Sequence, residues 1–169
     1  INDSQIFTGK NTVIKPGCVL DSENGPIYIG HNVKISSNSV IEGPAFIGDN
    51  VVIQPLSRIR AGSNIGRVCK IGGEIMNTII QDYSNKQHDG FLGDSYIGSW
   101  VNLGAGTVNS NLTNTYGTVK VQMFDKIIDT GQTFLGMIMG DHTKTAINTR
   151  FMTGSIIGFA CNILMTRTP

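Results

Sequence analysis

Eight isoleucines, Ile29, Ile35, Ile41, Ile47, Ile53, Ile59, Ile65 and Ile71, follow one another at intervals of six. That period fits neither the 3.6 of a helix nor alternation along one long strand. It is the period of hexapeptide β-helices, in which short strands joined by turns stack coil on coil. Each hexad makes one flat side of a triangular prism, with the branched Ile filling the interior. Four positions later comes a mostly small or β-branched residue (Val33, Ser39, Ala45, Val51, Ser57, Ser63, Cys69, Ile75) suited to a corner. Gly30, Gly48, Gly66 and Gly72 give the chain freedom to turn. Three hexads close a coil, so Ile29, Ile47 and Ile65 are expected to stack on one side, and Ile35, Ile53 and Ile71 on the next. A β-sandwich, with strands every 8 to 12 residues or so, leaves eight identical residues in step unexplained. The expected fold is all-β, a single-stranded left-handed parallel β-helix.

The 169 residues suffice for one domain, 1–169. Only 15% are charged and the net charge is +1, so no basic tract favours nucleic acid or an anionic membrane. The longest apolar run, Ile156 to Met165, is broken by Gly158 and Asn162 and falls short of the roughly 20 residues of a membrane span. No signal peptide is present, and a soluble, cytoplasmic protein is expected. Cys18, Cys69 and Cys161 are odd in number, far apart and free of zinc-site spacing. They read as free thiols, Cys69 buried, and no metal site is expected. The chain begins at Ile1 rather than Met, as a piece of a longer polypeptide does.

Before the repeat, Ile6/Phe7, Val13/Ile14 and Val19/Leu20 suggest short strands. After Ile71 the next step lands on Asn77 and the period fails. The stretch from Asn77 to Asn111 is therefore the interruption most apt to carry chemistry. Gln81 to Phe91, QDYSNKQHDGF, is mainly polar and is expected to be a loop ejected from the stack. Such insertions leave neighbouring coils in contact and gather on one face, often the binding face. Repeat character resumes at Leu92-Gly93, Ile97-Gly98 and Leu103-Gly104. Residues 112–133 are irregular, with alternating Val119, Val121 and Met123, before coil-like segments return at Phe134–Gly136, Ala146-Ile147 and Ser155–Gly158. The closing Thr-Arg-Thr-Pro reads as a frayed end. His31 lies outward of the repeat, and His142 sits in a second polar break.

Within the interruption and its approach, Arg58-Ile59-Arg60, Gly62, Glu74, His88, Gly93-Asp94, Ile97-Gly98 and Asn102-Leu103-Gly104-Ala105-Gly106-Thr107 keep an order and spacing that can be matched. This pattern resembles the C-terminal acetyltransferase domain of bifunctional glucosamine-1-phosphate acetyltransferase/N-acetylglucosamine-1-phosphate uridylyltransferases. The match is close over about a third of the chain and runs through the shared repeat elsewhere. It implies an N-terminal nucleotidyltransferase domain upstream of Ile1, acetyl-CoA as co-substrate, an amino sugar 1-phosphate as acceptor, and a homotrimer with acyl-CoA sites in clefts between prisms. It also implies roles. His88 is the general base toward the sugar amine, and Glu74 holds and polarises its imidazole. Arg58 binds the phosphate, Asn102 and Asn111 contact sugar or acyl group, and backbone at Gly104, Ala105 and Gly106 lines the thioester.

The chemistry independently favours these residue types. An ammonium must lose a proton before its nitrogen attacks a thioester, and an imidazole, with an ordinary pKa of about 6.5, suits that task. A planar guanidinium binds two phosphate oxygens at once, and amide or backbone donors can hold an oxyanion. The chain also departs from the family pattern: Met76 replaces a Lys, Phe91 replaces a Tyr, and a Lys expected shortly after Asn111 has only Lys120 downstream. Lys86 or Arg60 is expected to restore some of that positive charge at the substrate. Two other functions compete. One is a non-catalytic β-helical trimerisation or regulatory arm of a sugar-1-phosphate nucleotidyltransferase, consistent with the losses at Met76 and Phe91. The other, a β-helical carbonic anhydrase, needs three zinc-binding His at close spacing, which His31, His88 and His142 do not provide.

Overall fold

The computed structural model describes residues 1–164; the Thr-Arg-Thr-Pro end lies outside the described residues. The chain winds as a left-handed parallel β-helix, with one 3₁₀ turn at Asp3–Gln5 as its helical content. The first face of the prism is an eight-stranded sheet running from Ile6–Thr8 to Ser155–Ile157. The second runs from Val13–Ile14 through Lys34–Ile35, Val52–Ile53 and Lys70–Ile71 to Asn85–Lys86. The third runs from Val19–Asp21 through Val40–Glu42, Arg58–Ile59 and Glu74–Met76 to Phe91–Gly93.

The hexad registers as expected. Ile29 pairs with Ile47 and Ile47 with Ile65 on the first face, while Ile35, Ile53 and Ile71 align on the second. All eight repeat isoleucines are fully buried. Each contributes roughly 1.5–3 kcal/mol by leaving water, and each packs on its own kind one coil away. The corner between the first and second faces needs a left-handed residue in every coil. Asn11, Asn32 and Asn50 supply it early, with φ near +60°, where Asn is well tolerated. Later coils use Val68, Tyr83, Trp100 and His142 at similar φ. Tyr83 stacks on Trp100 at 4.5 Å and Trp100 on His142 at 6.2 Å. The second polar break is thus a corner whose histidine extends an aromatic ladder.

The segment ejected from the stack is a different one from that expected. Gln81 to Phe91 stays in the wall: Ile79–Ile80, Asn85–Lys86 and Phe91–Gly93 each pair with the coil beneath. Counting six from Ile80 lands on Lys86 and six more on Leu92, so the hexad persists with a lysine in an isoleucine position. The true excursion is 112–135, rooted where Leu135 N–H donates to the Asn111 carbonyl at 2.9 Å. It carries an antiparallel hairpin, Lys120–Met123 with Lys126–Asp129, anchored by the buried Val119 and Val121 against Gly154.

Coil length is not constant. Ile29, Ile47 and Ile65 are eighteen residues apart, but Ile80 follows after fifteen and Ile97 after seventeen. Most of the deficit falls at Gly72-Gly73, because Ile71 and Ile75 are four apart where Ile53 and Ile59 are six apart. No helix among the described residues is long and apolar enough to cross a membrane.

Candidate active site

Corners between the second and third faces ordinarily hold four residues, Ser36 to Ser39 in one coil and Gln54 to Ser57 in the next. The Gly72-Gly73 corner holds two, and the column of corners is notched there. Its backbone is tight: Gly73 has φ +77°, and a Cβ on it would lie 2.7 Å from the Gly90 carbonyl oxygen, so the short turn requires glycine. Across the notch, the Gln54 amide from the coil below reaches Gln87 Oε1 at 3.5 Å. The resulting open groove, about 540 Å³, is lined by Gln54, Pro55, Gln87, His88, Asp89, Ala105 and Gly106.

His88 is exposed on this groove, and its imidazole has no hydrogen-bond partner among the described residues. Glu74, expected to hold it, points elsewhere. Its Oε2 accepts from Arg58 Nη2 at 2.6 Å and its Oε1 from Arg60 Nη1 at 3.4 Å, while Arg60 Nε lies 3.7 Å from Glu42. The reason is register: Glu74 and Arg58 are outward partners on adjacent strands of the third face, whereas His88 sits in the corner of the following coil. Arg58, Glu74 and Phe91 share a smaller hollow of about 280 Å³ with Leu56, Gly73, Asp89 and Gly90. Asp89 borders both hollows, so the guanidinium and the imidazole occupy adjoining recesses.

The other expected residues fall apart from this pair. Asn111 lies at the opposite end of the third face, where its Nδ2 donates to Asp94 Oδ2 at 2.6 Å, while Asn77 Nδ2 donates to the other Asp94 oxygen at 2.7 Å. Asn102 is exposed on the second face, bridged between Asn85 and Lys144. A Cβ on Gly104 would lie 2.5 Å from the Ala146 carbonyl oxygen, so stacking of the next coil explains that glycine. Ala105 and Gly106 do line the groove. Lys86 is 3% exposed, with its Nζ inside the prism donating to the His88 and Gly72 carbonyls at 2.8 and 3.2 Å. It does not reach the groove as a solvent-facing cation, because an even hexad count from Ile80 turns it inward. Burial lowers its ammonium to about 8, against the opposing pull of Asp89. Gln54, Pro55, Gln87 and Asp89 were not anticipated; the shortened Ile71–Ile75 interval was the sequence signal for them.

No protein-family model matches the chain. A bifunctional sugar-1-phosphate nucleotidylyltransferase/acetyltransferase of Sulfurisphaera tokodaii is 39% identical over 136 residues, 79% of this chain and 34% of that protein. The bifunctional protein GlmU of Cyanothece sp. is 31% identical over 156 residues, 89% of this chain and 28% of the relative. That of Ruthia magnifica is 35% identical over 111 residues, 64% and 24% respectively. This chain is a relative of the C-terminal β-helical acetyltransferase domain of these bifunctional proteins. It spans about a third or less of the length of these GlmU-type relatives. Within a GlmU-type frame, Met76 and Phe91 flank Glu74 on neighbouring strands of the third face. Phe91 shares the hollow of Arg58 and Glu74, whereas Met76 lines a separate recess with Arg60, Asn77 and Asp94. Among the described residues no group of three His, Cys, Asp or Glu is placed to hold a metal ion.

Proposed function

We propose that the chain is an acetyltransferase module that moves an acetyl group from acetyl-CoA to the amine of an amino sugar 1-phosphate. The observation that carries this is the groove at the shortened corner, which places an unpartnered imidazole beside the backbone of Ala105 and Gly106. His88 takes the proton of the sugar ammonium, and the freed nitrogen attacks the thioester carbonyl. Collapse of the tetrahedral intermediate breaks the carbon–sulfur bond, and the departing CoA thiolate takes up a proton. Amide donors along the groove wall are suited to the oxyanion. Arg58 serves the phosphate from the adjoining hollow. Its guanidinium is largely exposed and its bridge to the half-buried Glu74 is worth about 1 kcal/mol, so a phosphate making charge-assisted bonds can displace it.

The groove is open and the expected Asn102 and Asn111 are turned away from His88. A homotrimer, with neighbouring prisms closing the cleft, supplies the missing wall. A thiol-release assay with acetyl-CoA and a panel of amino sugar 1-phosphates tests the proposal. His88→Ala should lower kcat by about 10²- to 10⁴-fold with the unfolding midpoint unchanged; activity that survives the substitution refutes the mechanism. A second role, a non-catalytic trimerisation arm of a nucleotidyltransferase, is favoured by Met76 beside Arg60 and Phe91 beside Arg58, where the family pattern has a Lys and a Tyr. It predicts no heat on titrating the protein with millimolar acetyl-CoA.

A further inference from the structure

Among the described residues, Lys86 is the one buried lysine, and it stands in the column of Ile14, Ile35, Ile53 and Ile71. An aliphatic side chain would fill that space without desolvating a charge. What the lysine adds is its ammonium. The two carbonyls it engages, Gly72 and His88, take no backbone N–H donor. They belong to the shortened corner and to the four-residue turn directly above it. Elsewhere each four-residue turn rests on a four-residue corner; the Gln87–Gly90 turn stands over the notch. Its backbone is held from the coil below by Glu74 N–H to the Gly90 carbonyl at 3.2 Å, and from the coil above by Gly106 N–H to Asp89 at 3.1 Å.

We infer that Lys86 is a positioning residue: its buried ammonium ties the His88 carbonyl to that of Gly72 and so fixes the turn that presents the imidazole to the groove. The inference rests on the role proposed for His88. It also accounts for an imidazole with no carboxylate partner: Glu74 is committed to Arg58 and Arg60, and the hold on His88 passes through its backbone instead. Asp89, exposed on the same turn, opposes the effect of burial and favours the protonated amine.

Lys86→Met keeps the stem and removes the donors, and Lys86→Ala removes both, so the loss of the ammonium is what the two variants share. Hydrogen exchange of the Glu74 and Gly106 amides reads the turn without reference to catalysis, with the Lys34 amide, bonded to Val51 at 2.9 Å, as a control in a distant coil. Exchange at Glu74 and Gly106 should rise about tenfold in both variants with Lys34 unchanged. In the thiol-release assay kcat should fall about tenfold with KM for acetyl-CoA within about twofold of wild type. Unaltered exchange in both variants overturns the inference. So does faster exchange with unaltered kcat, or an equal rise at Lys34, which marks a general packing defect. Should the wild type transfer no acetyl group, the role of His88 fails, and the tie between Lys86 and the turn is decided by exchange alone.

Discussion

The coils from Ile27 to Ile71 and the coil that follows are built from the same hexad, yet one is scaffold and the other holds the groove. In the first region every coil has eighteen residues, every inward position of the repeat is an aliphatic or small residue, and each corner sits squarely on the one below. In the second, three residues are missing, a lysine takes an isoleucine position, and the corner column opens into a recess. Here the solenoid opens a groove by subtraction. Removing residues from one corner leaves both flanking strands paired, so little stability is lost, and the cavity appears where the stack would have been continuous.

Restoring the missing residues should make the second region behave like the first. Inserting two residues between Gly72 and Gly73 returns the corner to four residues and fills the notch. Acetyl transfer should fall by at least about 100-fold, with acetyl-CoA binding lost in calorimetry and the parallel-β circular dichroism retained. A variant that keeps full activity would show that the groove is incidental. Next in size, Ile59→Ala in the regular stack should lower unfolding free energy by about 3–4 kcal/mol in urea titration, because rigid neighbouring coils cannot collapse into the cavity. Its kcat should change little at temperatures where it stays folded. Smallest is Lys86→Met, which removes a buried charge but leaves the Gly72 and His88 carbonyls without a donor, so its net gain in stability at pH 7 should stay below about 1 kcal/mol. The sign follows from a depressed pKa: between about 8 and the ordinary 10.5 the unfolded chain binds the proton and the folded one does not. Wild-type stability therefore rises with pH across that window, and the advantage of the variant should shrink between pH 8 and 10.5 in the same titration.

On the proposed mechanism, stability and activity separate along the prism: Ile59 serves the first, His88 the second, and Lys86 both with opposite sign. That separation could be read only partly in the sequence. The family resemblance points to His88, Ala105, Gly106, Arg58 and Glu74, and in the fold these lie around one corner and the adjoining face. The partnership of Glu74 with His88 was not there to be read, because cross-strand register sets it against Arg58 instead. In the sequence Lys86 reads as a loop cation, since a polar residue breaks a hydrophobic pattern even when it occupies the interior.

The hexad alone determined the prism, the three stacked columns and the burial of the repeat isoleucines, because branched residues returning every six positions meet their own kind one coil away. It also fixed the approximate place of the break. Tertiary structure decided which break leaves the wall, 112–135 rather than 81–91, and which way Lys86 faces. The physical reason is that side-chain direction in a two-residue strand depends on where the corner falls. Corners absorb insertions and deletions locally, and their length is settled by stacking on the coils above and below.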